Sequence, residues 1–131
     1  ANCEDADFRY ADFICTNLED ANCENANCEN ANFQGANFKN ADCEGANFRY
    51  ANCKNVNFYG ADCEGANFTG ADLEGTNFRD SNCEEANFYN SNLNGANFRD
   101  ANLEKTNFYR DKCENASFAY ANCKNENNKN D

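Results

Sequence analysis

A period of five residues runs the length of this chain and limits its fold more than any other feature. Written in fives from Ala1, the sequence reads ANCED ADFRY ADFIC TNLED ANCEN ANCEN ANFQG, and the register continues unbroken through 26 pentads, leaving only Asp131 over. The first position is Ala in 18 pentads and otherwise Thr, Ser, Val56, Asp111 or Glu126. The second is Asn in 19 and Asp in 5. The third is Phe in 12, Cys in 9 and Leu in 4, with Asn128 the exception. Every Phe and Leu stands at that third position, all six Tyr at the fourth or fifth, and all seven Gly at the fifth. Such a period matches neither a helix (3.6) nor a simple strand (2). It suits a chain that turns a corner every five residues, with the third residue pointing inward and the small first residue beside it. Gly, Asn or Asp fills the fifth position in 19 of 26 pentads, and these residues tolerate the positive φ of tight turns.

The pattern A-[ND]-[LFC]-x-x, carried by 130 of 131 residues, resembles the pentapeptide-repeat family. The resemblance implies an all-β fold, a right-handed quadrilateral β-helix (solenoid) with four pentapeptides to a coil. On that basis residues 1–131 form one solenoid of about six and a half coils, on the order of 31 Å tall at about 4.8 Å per coil. Folding the sequence at 20 gives each complete coil two Phe, the other inward places being Cys or Leu, as in Cys43, Phe48, Cys53, Phe58 and Cys63, Phe68, Leu73, Phe78. A close-packed shaft of fixed cross-section needs that constant volume. In most coils the two Phe face each other across the axis. Asn at the second position is expected to hydrogen-bond its neighbour one coil away, as stacked Asn ladders do.

Ten Cys in a short chain raise the question of disulfides. Nine lie at inward third positions, where Cys behaves as a small buried hydrophobe. Stacked thiols with parallel side-chain vectors approach each other poorly for a bond of about 2.05 Å. With no C-x2-C pair and no His, a metal site is not expected either. Cys15, at a fifth position beside Ile14, is the one thiol expected to be exposed and reactive.

Composition narrows the function. The net charge is −12, with 11 basic and 23 acidic residues and no His, which argues against direct nucleic-acid binding, since that rests on Lys and Arg neutralising phosphates. No apolar run approaches the roughly 18–20 residues of a membrane span, and no basic segment followed by an apolar one opens the chain. The expectation is a soluble protein without a membrane partner, cytoplasmic or exported after removal of a leader. The chain has no His, three Ser and no phosphate-cradling glycine loop, so no catalytic residues, cofactor or enzymatic activity are expected. Asn67-Phe-Thr69 and Asn115-Ala-Ser117 match the glycosylation sequon, which Asn-rich sequence also produces by chance.

Charge sorts when the pentads are assigned to four faces. The first face carries Glu4, Asp5, Glu24, Asp42, Glu44, Asp62, Glu64, Glu84, Glu85 and Glu104 against Lys105 and Lys124, a net −8. Six of these Glu recur at intervals of 20. The second face nets +1, with Arg9, Arg49, Arg110 and Lys129 against Asp7, Glu29 and Glu126, and displays Tyr10, Tyr50, Tyr89 and Tyr109. The third nets −3 and the fourth −1. The acidic face reads either as a solvated surface that deters aggregation or as a strip for a basic protein partner, for cations or for another copy's Arg/Tyr face. Tyr beside Arg favours interfaces.

The pattern decays from about residue 111. Asp111 and Glu126 take first positions, Lys112 replaces Asn, and Asn128 replaces the core residue, a polar end of the kind that stops solenoids stacking. Ala1 opens mid-pattern, which is expected to expose Phe8 and Phe13 unless upstream residues or another copy cover them; the N-terminal end is thus the favoured self-contact, head-to-head or by longitudinal stacking. Two functions remain open. One is a non-catalytic structural or interaction module, assembling end-to-end or binding a basic partner through its acidic face. The other, implied by the resemblance, is a DNA mimic that binds a type II topoisomerase, DNA gyrase, although no loop interrupts the register here as in those relatives.

Overall fold

A computed structural model describes residues 1–124; Glu126, Asn128, Lys129 and Asp131 of the decaying end lie outside the described residues. Each described pentad makes one β-bridge at its second residue and a turn at its fourth and fifth. The bridges are all parallel and join residues twenty apart, from Asn2↔Asn22 to Asn102↔Asn122. One turn of the chain thus takes four pentads, and successive turns stack as a β-solenoid with no helix among the described residues.

The pentad from Ala46 to Tyr50 shows where the backbone donors go. Ala46 N–H closes the preceding corner on Cys43 O at 3.0 Å, and Asn47 N–H donates to Ala26 O one coil away at 2.9 Å. Phe48 N–H and Tyr50 N–H donate the other way along the axis, to Asn67 O at 2.7 Å and Thr69 O at 2.9 Å. Arg49 N–H faces no neighbouring carbonyl; Asn47 Oδ1, two residues back, accepts it at 3.0 Å. All five donors are therefore satisfied, as a backbone buried this closely requires. The same side-chain acceptor recurs from Asn2 to Asn122. Where Lys112 breaks the pattern, Asn94 Oδ1 of the adjoining coil accepts the Glu114 N–H instead, at 2.9 Å.

The expected ladder between coils is present as well. Asn57 Nδ2 donates to Asn37 Oδ1 and Asn77 Nδ2 to Asn57 Oδ1, both at 3.4 Å. One Asn side chain thus serves its own turn and its two neighbours; Asp, which only accepts, keeps the turn contact and gives up the donation to the adjoining coil.

Every described fifth residue has positive φ, from Asp5 (59°) to Tyr120 (59°). Tyr10, Cys15, Tyr50, Glu85, Lys105, Arg110 and Tyr120 adopt it despite lacking any intrinsic tolerance. Each such residue costs roughly 1–2 kcal/mol, which the pairing on both sides over-determines. At Gly70 a side chain is excluded for a second reason: an added Cβ would lie 2.5 Å from the Tyr50 ring, which rests on the Gly70 backbone.

The third residues fill the axis. Phe48, Phe58, Phe68, Phe78, Phe88 and Phe98 are fully buried. Phe48, Phe68, Phe88 and Phe108 stack in one column at 4.9–5.2 Å, within 3° of parallel. Phe58, Phe78 and Phe98 form the opposite column at 4.8–4.9 Å. Across the axis the columns meet edge to face at 5.5–5.8 Å. Both arrangements suit the aromatic quadrupole. Early in the chain the Phe positions differ, Phe13 stacking on Phe33 at 5.2 Å and meeting Phe8 edge-on at 4.8 Å. Phe8 and Phe13 are half-buried. The inward hydroxyls are paired: Thr76 Oγ1 donates to Cys53 O at 2.7 Å and Thr106 Oγ1 to Cys83 O at 2.9 Å. The eight Cys from Cys3 to Cys83 are free thiols, six of them fully buried.

Replacing Asn57 separates the two duties of the second residue. Asn57→Ala orphans the Tyr59 N–H and is expected to cost about 1–3 kcal/mol, whereas Asn57→Asp keeps the acceptor and costs less. Urea denaturation of the two variants checks the order.

Candidate interaction faces

Because bridged residues are twenty apart, side chains at equivalent positions form columns, and the acidic column of the first face is real. Asp42, Glu44 and Asp62 have carboxylate oxygens within 4.8 Å of one another. The Glu44 carboxyl is held above its usual range, first by partial desolvation and then by Asp62, Glu24 and Asp42. Glu64 is raised in the same way, with Glu44 and Glu84 the leading charges. Glu4, Glu24, Glu84 and Glu104 continue the column through the bridged coils, with Glu85 at an adjoining corner.

The Asp residues of this face differ from its Glu residues. Asp42 Oδ1 accepts the Glu44 N–H and Asp62 Oδ1 the Glu64 N–H, each at 3.1 Å. Asp62 Oδ1 also accepts from Asn82 Nδ2 at 3.3 Å. They stand in for Asn in the turn, so one oxygen of each belongs to the fold and only the Glu side chains are uncommitted.

The second face is less uniform than its charge count suggests. Arg9 is bound by Asp7 through Nε at 2.9 Å and Nη2 at 2.8 Å. The Asp7 carboxyl is drawn down to about 2, chiefly by the Arg9 side chain, and the pair presents little net charge beside Tyr10, which is 76% exposed. Arg49 instead lies over the Tyr50 ring, 5.5 Å from its centroid, with Nε shielded from solvent and lacking a partner. Tyr89 and Tyr109 stack at 6.1 Å and 20°. The charge count on its own misses two further cation–π pairs on the fourth face, Lys39 over Tyr59 at 5.8 Å and Arg99 over Tyr120 at 5.1 Å. Their spacings of 20 and 21 in the sequence are the signal that reveals them.

Cys15 is the one exposed thiol among the described residues, with Cys3, Cys113 and Cys123 half-buried. Its neighbour Ile14 is 50% exposed. Burial pushes the Cys53 and Cys28 thiols well up; Cys23 and Cys63 are raised by hydrogen bonds to Cys43 and by burial, and the same hydrogen bonds draw Cys43 between them down. The sequon residue Asn67 accepts both Thr69 N–H and Thr69 Oγ1–H, at 3.0 and 2.6 Å. An open groove of about 500 Å³ runs along a corner floored by Gly75 and Gly95 and edged by Lys54, Glu74 and Glu114. Among the described residues no helix is long and apolar enough to cross a membrane.

Asp111 is the anomaly of the upper coils. It occupies a first position held below it by Ser91, whose N–H and Oγ–H donate to Oδ1 at 2.8 and 3.2 Å, while Oδ2 is shielded without a partner. Burial raises this carboxyl from 3.8 to about 7, against the lowering by Ser91.

The profile described as pentapeptide repeats matches eight copies, over residues 1–25, 16–52, 26–62, 46–82 and 81–110. No curated protein matches. Among solved structures, the pentapeptide repeat protein Rfr23 of the cyanobacterium Cyanothece 51142 superposes with a TM-score of 0.67 at 24% identity, over 70% of this chain and 62% of that one. A pentapeptide repeat protein from the thylakoid lumen of Arabidopsis thaliana gives 0.56 at 30% identity, over 72% and 63%. A trypsin-treated form of QnrB1, a plasmid-mediated fluoroquinolone resistance protein, gives 0.53 at 18% identity, over 90% and 77%. This chain spans less than two thirds of the length of the first two. At 24% and 18% identity the likeness to Rfr23 and QnrB1 concerns the fold alone.

The raised Asp111 carboxyl sets a pH dependence. A folded value above the unfolded one means that the stability is present below about pH 4 and is lost as pH rises through about 7. Asp111→Ala, which restores the small residue common at this position, is expected to melt higher than the wild type at pH 8. The gain, on the order of 1 kcal/mol for a partly solvated group, shrinks by pH 5. Thermal melts at the two pH values test this.

Proposed function

The chain belongs to the pentapeptide-repeat family, and from that membership we propose that it acts as a rigid, non-catalytic interaction module whose acidic face docks a basic protein partner. In this reading residues 1–131 are one four-sided, right-handed tower of about six and a half coils, and family proteins of this kind are generally structural or interaction modules. The observation that carries the proposal is the uncommitted Glu column beside the Asp42–Glu44–Asp62 cluster. Like charges repel at this spacing, and Glu44 and Glu64 are raised first by desolvation and then by the neighbouring carboxylates. A cationic partner relieves the repulsion, and a rigid backbone presents the charges without reordering on binding.

A second reading rests on the same column. A straight row of carboxylates at the coil repeat imitates the regular anionic edge of a duplex, the role the family resemblance implies for partners such as DNA gyrase. Both readings place the binding chemistry on Glu44 and Glu64 and differ in the partner's shape.

A lysine-rich peptide is the probe for the first. Glu44→Lys with Glu64→Lys is expected to reduce peptide affinity by tenfold or more, with the circular dichroism unchanged. Glu74→Lys with Glu114→Lys changes net charge equally on the third face and should have a much smaller effect; equal losses would show that net charge, not this face, does the binding. For the second reading, a gyrase supercoiling assay should show inhibition that weakens as salt rises, and no effect at micromolar protein removes it.

A further inference from the structure

The acidic face and the Arg/Tyr face are neighbours on one tower, a quarter turn apart because four pentads complete a turn. From residue 41 to residue 110 their chemistry is complementary. The second face carries no acid there but presents Arg49, Tyr50, Tyr89, Tyr109 and Arg110, while the first presents Asp42, Glu44, Asp62, Glu64, Glu84, Glu85 and Glu104, with Lys105 its only base in that span. Among the described residues neither Arg49 nor Arg110 forms an ion pair, and Arg49 Nε has no hydrogen-bond partner. Tyr50, Tyr89 and Tyr109 are 51%, 36% and 39% exposed, large apolar bodies with a hydroxyl to donate.

We propose that the Arg49/Tyr89/Tyr109/Arg110 face of one copy docks side by side on the Glu44/Glu64/Glu84 face of a second copy. The inference rests on reading the acidic face as an interaction surface and names the chain itself as a partner. Two features select a second copy. The charges are complementary, guanidinium and phenol donors meeting acceptor-only carboxylates. The spacings are also commensurate: both faces hang on the same twenty-residue bridging pattern, and Tyr89 and Tyr109 repeat at the interval that separates Glu44, Glu64 and Glu84, so two towers laid parallel bring these phenols and carboxylates into step. The contact uses a different face of each copy and is heterologous. Because the two faces are a quarter turn apart, four parallel copies close a ring.

Each chain carries −12 overall, so salt acts in two opposed ways. Near 0.15 M the screening length of about 8 Å damps repulsion between whole chains while leaving contact pairs effective; at 1 M, about 3 Å, the contact pairs weaken as well.

Light scattering coupled to size exclusion tests the proposal on the full chain at sub-millimolar concentration. The wild type is expected to exceed the 14.7 kDa of one chain near 0.15 M salt, up to four chains, and to fall to one chain at 1 M. Glu44→Lys with Glu64→Lys removes one half of the contact, and Arg49→Ala with Arg110→Ala the other. Each variant alone should run as a monomer, and mixing the two should produce a one-to-one dimer, since each supplies the face the other lacks. Tyr89→Ala with Tyr109→Ala, read by the same mass measurement, should also shift the wild-type species toward monomer. A monomeric wild type at 0.15 M, unchanged association in any of these variants, or a mixture of folded variants that stays monomeric would overturn it. Peptide binding that survives such a result leaves the acidic face as a docking surface for another protein and removes only the self-contact.

Discussion

The fold depends on a hydrogen bond that is not part of the ladder between coils. At each corner the fourth residue's N–H is turned away from every neighbouring carbonyl, and the second residue's side-chain oxygen accepts it, as Asn47 does for Arg49 at 3.0 Å. Without that acceptor each pentad would lose a hydrogen bond worth roughly 0.5–1.5 kcal/mol. Repeated around every coil, such a loss would exceed the few kcal/mol by which domains of this size are stable. The dominance of Asn and Asp at the second residue follows from this local requirement, and the Asn-to-Asn contacts between coils at 3.2–3.4 Å come in addition to it. Lys112 makes the same point by exception, since the donor it fails to satisfy is taken up by Asn94.

Once the corner is closed in this way, the remaining positions separate cleanly. The third residue is committed to the axis, where stacking along a column and edge contacts between columns fill each coil with two aromatics, on opposite sides from Phe48 onward, and with smaller residues at the other two places. The first residue must be small because it lies against that column. The fourth is released: its backbone is satisfied whatever its side chain, so Glu, Arg, Tyr, Thr and Asn all occur there. The fifth must accept positive φ, yet Tyr50 and Arg110 show that pairing on either side can hold a residue with no preference for it. Surface chemistry in this chain is therefore written at the fourth and fifth positions with little consequence for the fold.

Much of this was legible in the sequence. The period placed Phe48 and Phe98 inside, and folding at 20 put the Phe residues on opposite sides and gathered the Glu column. What the pattern did not carry was direction within a pentad. It treated Asp42 and Asp62 as equal to Glu44, although their Oδ1 atoms are turned back onto the backbone. It summed Arg9 and Asp7 over the face without pairing them, although Asp7, two residues away, binds the Arg9 guanidinium. It read Asn as a bridge between coils, because a stacked ladder is visible in the repeat whereas a contact between residues two apart depends on the corner's φ and ψ. Asp111 was marked as an irregularity, but its shielded oxygen belongs to the three-dimensional arrangement above Ser91.

The same separation of duties bears on function. In a fold whose fourth residue is unconstrained, a column of like charges is not imposed by the backbone, and it is unfavourable in the isolated chain. The fold could equally well carry alternating signs there, as it does on the third face, where Lys54 and Glu74 are the fourth residues of adjacent coils. A Glu column that meets no base from Glu4 to Glu104, beside a face of Arg and Tyr, therefore points away from stability and toward contact with something outside the chain. Because the supporting ladder is rigid and regular, the match that counts is one of spacing as well as sign. A flexible basic peptide can adapt to such a column, whereas a rigid partner must share its repeat, and a second tower of the same kind does so by construction.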